Sequence, residues 1–350
     1  MKKSLIALAV LAASGAAMAQ SSVTLFGIVD ATYAYGSGSV ANRSQLTNSG
    51  YNSSRLGFRG VEDLGGGMSA SFWLEAGVNN DNGSGANTST NNQGAAAAGG
   101  GGLTFNRRST VSLNGGFGEV RLGRDYTPQF WNLTVFDPFG TNGVGTTQTL
   151  NSSLGGPTTV RASNAIGYFL PGNLGGFYGQ VQYYMGENLS NAANKKDGNG
   201  LAARVGYSNG PINVALALSE TKYLVSGDIQ SINLGGQYDL GVAKIMAHYN
   251  QDEIDGGSDG KGFLIGGLIP MGAGEIRVAY STYKIDTAGP DPRSNKIALG
   301  YVHNLSKRTA LYTTVARVGN KNGAASALNG SVTAAGRNST GYDIGIRHSF

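Results

Sequence analysis

The sequence contains no cysteine, only three histidines and few charged residues. The absence of cysteine excludes a disulfide scaffold, thiolate metal sites and a cysteine nucleophile. His248, His303 and His348 lie far apart in the chain, which argues against a histidine-rich metal cluster. Charged residues make up 13% of the 350 residues, about half of the usual ~25%. Beyond residue 20 there is no run of about 18 apolar residues, so any membrane-spanning segment there has to be a strand.

Neither enzymatic chemistry nor a cofactor is indicated. No nucleophile motif accompanies His248, the one histidine expected to face the interior. The 57 glycines form no dinucleotide-binding or Walker-type motif. Without Lys2 and Lys3 the chain carries 24 basic and 21 acidic residues, a net charge of +3, and no concentrated basic patch. We therefore predict a protein that is not an enzyme, takes no metal or cofactor and binds no nucleic acid.

The N-terminus has the pattern of a secretory signal peptide. Positive charge at Met1–Lys3 is followed by an apolar segment at Leu5–Ala13, and Ala17 and Ala19 fit the small-x-small cleavage rule. The apolar segment is too short for a membrane helix. We predict a cleaved signal over residues 1–19 and one mature domain over residues 20–350.

Apolar and polar residues alternate along most of the mature chain. The segments Arg55–Arg59 and Ser69–Ala76 are clear examples. A period of two places successive side chains on opposite faces of a strand. The 17 tyrosines suit the aromatic girdles that flank the apolar band of a membrane barrel.

Short and long connections alternate along the chain. The short ones contain glycine, proline and asparagine, which are typical of tight turns. This arrangement is typical of a transmembrane β-barrel with short periplasmic turns and long extracellular loops. A chain of this length accommodates about 16 strands of roughly 11 residues, and so wide a barrel retains an aqueous channel. The predicted turns are 62–67, 115–118, 208–211, 239–241, 270–272 and 304–307; the predicted loops are 36–51, 79–102, 126–159, 188–200, 252–260, 286–294 and 319–338.

Several segments resemble the general trimeric porins of Gram-negative bacteria, of the beta-proteobacterial type. Ser54–Gly67 resembles their second strand and first turn, and Gly116–Arg124 and Tyr342–Phe350 resemble later strands. The resemblance implies an all-β, antiparallel transmembrane barrel of about 16 strands with an inward-folded third loop. It also implies a homotrimer in the outer membrane, in contact with membrane lipid and lipopolysaccharide, that allows passive diffusion of ions and small hydrophilic solutes.

The resemblance further implies that the third loop, about 126–159, narrows the pore. Asp137 is the only acid in this loop, whereas relatives often carry several, so a strongly acidic constriction is not expected. The loop tip is the segment Asp137, Pro138, Phe139 and Gly140.

On the wall that faces this loop, the resemblance implies a ladder of arginines. Arg55 and Arg161 match the family pattern, and alternation adds Arg59 to the face of Arg55. For the strand predicted at Phe105–Asn114, the family pattern selects Arg107. Alternation instead turns Arg108 inward, because Val111 and Leu113 then face lipid. Alternation slightly favours Arg108, and both positions remain candidates.

The charges expected to face the interior are predominantly basic. Guanidinium groups stay charged at any relevant pH, and a ring of them favours anions in a narrow pore. We therefore predict a mild preference for anions, unless these arginines merely pair with acids along the wall. Beyond the ladder, the inward charges are Arg121, Arg204, Asp30, Glu75 and Glu119.

Two other non-enzymatic functions are compatible with the sequence. One is a channel specific for a sugar, phosphate or organic acid. A sugar channel would need a run of aromatic residues along its interior. The other is a surface adhesin that works through its loops. The candidates for the aromatic run are Phe130, Trp131, Tyr168, Tyr183 and Tyr184.

The C-terminal strand places Ile346, His348 and Phe350 on one face. The resemblance implies that this face, with its terminal aromatic residue, is recognised by the barrel-assembly machinery. The simpler interpretation is a last strand that closes the barrel against the first.

Overall fold

The computed structural model describes residues 22–86, 88–93 and 102–350. The predicted signal peptide, with Ala17 and Ala19, lies outside the described residues. Consecutive strands pair antiparallel in chain order and form one closed sheet. The strands are β1 (Ser22–Ser37), β2 (Arg43–Asn48), β3 (Arg55–Gly65), β4 (Met68–Asn79), β5 (Ser84–Gly85), β6 (Arg108–Gly115), β7 (Gly118–Tyr126), β8 (Arg161–Phe169), β9 (Phe177–Tyr184), β10 (Gly200–Asn209), β11 (Ile212–Thr221), β12 (Ile229–Asp239), β13 (Lys244–Ile254), β14 (Asp259–Met271), β15 (Gly274–Asp286), β16 (Arg293–Asn304), β17 (Thr309–Lys321) and β18 (Ser339–Ser349).

These segments make a barrel of sixteen strands within the described part of the chain, as predicted. β2 and β3 pair with successive halves of β1 and together form one barrel strand. β5 is a two-residue extension that pairs only with the end of β4. Closure comes from β18, which pairs with β1, and from two hydrogen bonds of 3.1 Å between the backbones of Gly27 and Phe350. Closure satisfies the backbone groups that an open sheet would leave unpaired.

The connections have the predicted two sizes at the two ends of the barrel. Two of them are absent from the prediction: a turn at 170–176 between β8 and β9, and a loop at 222–228 between β11 and β12. The turn has clear signals in Pro171 and Gly172. The loop was hidden because Lys222, Tyr223 and the apolar residues after them continue the pattern of β11.

Alternation along the strands is confirmed by the exposure of their side chains. In β6, Val111 is 55% exposed on the outer face while Thr110 is 6% exposed on the inner face. In β16, Ile297 and Leu299 point outward and Ala298 inward. The barrel is therefore apolar outside and polar inside, which lets it sit in hydrocarbon and hold water.

The connection between β7 and β8 is the longest one and contains the helical segments. α1 spans Pro128–Val135, α2 spans Gln148–Ser152, and a 3₁₀ turn spans Gly156–Thr158. We call residues 127–160 loop 3. In the described residues, no helix is both long and apolar enough to cross a membrane.

Candidate functional site

Loop 3 folds into the barrel and α1 fixes it to the wall formed by β10–β12. The Asn132 side chain donates to the carbonyl of Ala215 at 2.9 Å and accepts from Arg204 Nε. Asn233 Nδ2 donates to the carbonyl of Gln129 at 3.0 Å. Arg204, predicted as an interior charge, is thus an anchor for the loop. Its guanidinium also lies 4.8 Å from the centroid of the Tyr178 ring.

The second half of loop 3 is fixed to β14, β15 and β18. The backbone N–H of Gln148 donates to Ser281 Oγ at 2.9 Å, and that of Val144 donates to Asp343 Oδ2 at 2.7 Å. Thr149 lies over Gly262, where a Cβ would overlap its side chain. The loop therefore lines one side of the interior and leaves the opposite side, β3–β8, open for passage.

The tip of the loop is organised by its single acid. The Asp137 carboxylate accepts backbone hydrogen bonds from Phe139 at 2.9 Å, Thr147 at 2.9 Å and Thr141 at 3.2 Å. Burial raises the pKa of Asp137, and the three N–H donors and Lys296 oppose that rise. Asp137 as a residue is only 3% exposed, so it shapes the tip and presents little charge to a passing ion.

The other tip residues hold the loop against the barrel wall. Phe139 belongs to a buried cluster with Val144 and Leu264. Pro138 packs over Gly266 of β14, and Gly140 adopts a positive φ of 56°, a conformation that favours glycine. The predicted tip, 137–140, therefore includes residues that bound the open passage as well as residues that hold the loop.

Three arginines converge on the open side of the interior, opposite loop 3. Arg107 Nε lies 2.6 Å from Glu75 Oε1, and Arg55 Nη1 lies 3.4 Å from the same oxygen. Arg161 donates through Nε to the carbonyl of Arg107 at 2.9 Å and stacks on Tyr126, 4.4 Å from the ring centroid. We call Arg55, Arg107 and Arg161 the arginine cluster. One carboxylate, Glu75, balances only part of its charge.

The arginine cluster borders an open space of about 550 Å³ between the wall and loop 3. Arg277 of β15 borders the same space and pairs with Glu275. On the loop side the space is lined by Trp131, Thr134 and the tip segment 137–142. The narrow part of the interior is therefore basic on its wall and largely neutral on its loop.

The two candidates Arg107 and Arg108 lie in different parts of the interior wall. β6 begins at Arg108, which faces inward as alternation predicts and lies 4.7 Å from the Trp73 ring centroid. Arg107 lies just before the strand, so the alternation of inward and outward side chains does not fix its orientation. Its side chain reaches Glu75. The structure thus places Arg107 in the cluster, against the slight preference for Arg108.

Arg59, Arg108 and Arg121 lie along the inner wall away from loop 3. Arg59 stacks on Phe26 and Trp73 at 5.4 and 5.2 Å. Arg121 pairs with Glu119 at 2.8 Å and with Asp125 at 2.5 Å. Arg59 therefore does not border the constriction, contrary to the prediction, because it lies four residues, or roughly 13 Å, from Arg55 along β3.

These findings agree with comparisons to known proteins. A model of the Gram-negative porin family matches residues 5–323. The chain is a Gram-negative porin. It is 43% identical to outer membrane porin protein 32 of Delftia acidovorans, with both chains covered in full, and 30% identical to an outer membrane porin of Bordetella pertussis, with 89% of this chain and 93% of the relative covered. The solved anion-selective porin from Comamonas acidovorans superposes with a TM-score of 0.82 at 38% identity, over 95% of this chain and all of that one.

This porin is accordingly a channel of the outer membrane and not an enzyme.

The interior of the porin contains groups that the sequence did not indicate. Between β2 and β3, residues 49–54 are inserted in the barrel wall and carry Tyr51 into the lumen. The Tyr51 ring contacts two arginines, Arg277 at 4.4 Å and Arg347 at 5.3 Å from its centroid. Arg277 was missed because the resemblance covers only the arginines that face loop 3 from β3–β8.

Asp30, predicted as a charge of the lumen wall, is covered in this porin by the segment 49–54. It is fully buried and its carboxylate accepts from the backbone N–H groups of Tyr51 at 2.9 Å and Asn52 at 2.6 Å. The Tyr312 hydroxyl donates to its other oxygen at 2.5 Å. Asp30 therefore holds the inserted segment 49–54 in place.

Replacing Asp30 by Asn is expected to destabilise the porin. An amide offers one oxygen and cannot accept from both N–H groups and the hydroxyl, and an unsatisfied buried polar group costs about 1–3 kcal/mol. The midpoint of heat-induced loss of β-sheet circular dichroism in detergent measures the effect. Asp63→Asn, at the exposed end of β3, is the control and is expected to leave the midpoint unchanged. Equal midpoints for both variants would refute the role of Asp30.

The aromatic run that a sugar-specific channel would need is not assembled in this porin. Phe130 and Trp131 are on loop 3, where they flank Tyr126 with centroids at 4.8 and 5.2 Å. Tyr183 is on the outer face and Tyr184 is fully buried. Tyr168 shares the outer face with Ile166, and its hydroxyl donates to the carbonyl of Phe117.

The last strand has the face that alternation predicts. Ile346, His348 and Phe350 are all exposed on the outside of the barrel. His348 Nδ1 lies 2.9 Å from Thr309 Oγ1 of β17. This strand closes the barrel, while its recognition during assembly stays a prediction.

Proposed function

We propose that this porin admits small anions in preference to cations, through the passage between the arginine cluster and loop 3. The observation that carries the proposal is the excess of positive charge there. Four arginines (Arg55, Arg107, Arg161 and Arg277) border the space, and Glu75 and Glu275 are the carboxylates that pair with them.

The loop side of the passage supports the same conclusion. The Asp137 carboxylate is buried within the tip and its oxygens are occupied by backbone N–H groups. An anion that passes therefore meets guanidinium groups without a facing row of carboxylates. The similarity to a porin described as anion-selective, at 38% identity, is consistent with this proposal.

The anion preference is expected to weaken as the salt concentration rises. The screening length falls from about 10 Å at 0.1 M to about 3 Å at 1 M, so only ions in direct contact with the arginines sense them at high salt. Reversal potentials of the porin in planar bilayers under KCl gradients, centred on low and on high concentration, measure this. A preference for potassium at low salt would overturn the proposal.

A second candidate is a channel with a binding site for one anionic solute, such as phosphate or an organic acid. Two donors in the described residues favour it: Arg55 Nε and Trp131 Nε1 are buried without a hydrogen-bond partner, and both side chains border the passage. A solute oxygen that reaches either donor would satisfy it. Conductance that saturates with one anion and rises linearly with chloride distinguishes the specific channel from general diffusion.

We also propose the partners that the family resemblance implies. These are two further copies in a homotrimer, the lipid and lipopolysaccharide of the outer membrane, and the barrel-assembly machinery. The apolar outer face supports lipid contact, and the outward Phe350 with Ile346 and His348 supports recognition of the last strand. Deletion of Phe350 tests that recognition, because the variant is then expected to remain unassembled in the periplasm.

A further inference from the structure

Four basic side chains form a row on the outer face of the barrel, at the loop end of β14–β17. The strand register places Lys261 opposite Lys284, Lys284 opposite Arg293, and Arg293 opposite Lys321. All four alternate with inward-facing neighbours and so point away from the lumen. Like charges directly opposite each other on neighbouring strands are destabilising.

In one half of the row, Lys261 and Lys284, carboxylates offset this repulsion. In the other half, Arg293 and Lys321, they do not. Asp286 pairs with both Lys261 and Lys284, and Asp291 pairs with Lys284 at 3.1 Å. Among the described residues, no carboxylate lies within 4 Å of Arg293 or Lys321, although both side chains are exposed. The Arg293–Lys321 pair therefore lacks the internal anion that its neighbours have.

Polarity decreases in steps below this pair, toward the middle of the barrel wall. Asn295 lies opposite Gly319, then Ile297 opposite Arg317, then Leu299 opposite Val315. Each step of two residues is roughly 6.6 Å. Such a gradient is expected where a barrel wall passes from lipid headgroups into hydrocarbon, and Arg317 is a third basic group within it.

The neighbouring part of the rim carries the opposite charge. The register places Glu220, Gln230 and Glu253 side by side on β11–β13, followed by Asp259 and Asp286 on β14 and β15. An anionic headgroup is repelled there. The basic site is therefore confined to β16 and β17.

We propose that Arg293, Lys321 and Arg317 bind the phosphate groups of a phosphorylated glycolipid of the outer leaflet, lipopolysaccharide being the lipid of that class. Arginine binds phosphate through paired hydrogen bonds. The hydroxyl and amide of Thr282 and Asn295, which contact each other at 2.7 Å, face the sugar. The acyl chains lie on the outward Ile297 and Leu299. A lipid is favoured over free phosphate because the basic groups stand directly above this apolar surface.

This inference rests on the proposed contact with lipopolysaccharide and does not depend on the selectivity of the pore. The test uses the delipidated porin in detergent, mixed with bisphosphorylated lipid A, and counts retained lipid by native mass spectrometry. The double variant Arg293→Gln/Lys321→Gln is expected to reduce retention about tenfold or more, since two charge-assisted contacts are lost. The control Lys261→Gln, next to Asp286, is expected to retain lipid as the unmodified porin does.

A second variant separates binding from folding. Arg293→Glu creates an opposite-charge pair with Lys321, so it is expected to keep or raise the thermal midpoint of the lipid-free barrel while it abolishes retention of lipid A. Equal retention of dephosphorylated lipid A, or equal loss in Lys261→Gln, would overturn the proposal. So would displacement of lipid A by equimolar inorganic phosphate, because free phosphate would then be the ligand. The reversal potentials of all these variants are expected to equal that of the unmodified porin, which shows that the loss of lipid does not arise from a change in the pore.

Discussion

The triple variant Arg55→Gln/Arg107→Gln/Arg161→Gln is expected to lose the anion preference and to favour cations. A unit charge about 4 Å from an ion contributes about 1 kcal/mol in water, or roughly fivefold in occupancy. Removal of three such charges also leaves Glu75, now unpaired, beside the passage. Reversal potentials in a KCl gradient are therefore expected to change sign.

Two further variants show whether charge is the cause. Replacement of the same three arginines by lysine keeps the charge and loses the stacking of Arg161 on Tyr126, so the anion preference is expected to remain. Arg317→Gln removes a positive charge from the outer face, where it is exposed, and is expected to leave the reversal potential unchanged. A triple glutamine variant that still prefers anions would mean that the selecting charges are elsewhere.

The variant Gly235→Val is expected to push loop 3 away from the wall and into the passage, which narrows. Phe136, which follows α1, is fully buried against Gly235, and a Cβ at that glycine would overlap the phenyl ring. Overpacking of this kind costs about 1–3 kcal/mol, which the end of α1 avoids by moving away. Single-channel conductance is therefore expected to decrease and to fluctuate more.

The adjacent residue offers a matched control. A Cβ at Gly236 points to the outer face and meets Val214 at 3.3 Å, a contact that needs only a small adjustment. Gly236→Val gives the same gain in strand propensity without contact with Phe136, and its conductance is expected to equal that of the unmodified porin. If both variants behave alike, Phe136 does not hold the loop.

Much of this architecture was predictable because it depends on local patterns. A period of two in polarity gives the strands and their faces, and turn residues divide the chain into barrel strands. The resemblance supplied the third loop and the positions of Arg55 and Arg161. A loop such as 222–228 escaped prediction because its apolar residues continue a strand pattern.

The remaining features depend on contacts between distant segments. Alternation fails at Arg107 because the residue lies just before its strand, where Glu75 and Tyr126 determine its orientation. An aspartate in an alternating strand looks like a lumen charge, and only the inserted segment 49–54 shows Asp30 to be a buried acceptor. The sequence has no signal that brings Tyr51 into contact with Arg277 and Arg347.

The central claim is that anions pass between the arginine cluster and loop 3, and the position of bound ions tests it most directly. Crystals of the porin soaked in bromide, and separately in rubidium, locate anions and cations by anomalous scattering. Bromide peaks are expected within contact distance of Arg55, Arg107 or Arg161, with rubidium absent from that space. Rubidium peaks in the same space, or bromide found only outside it, would contradict the account.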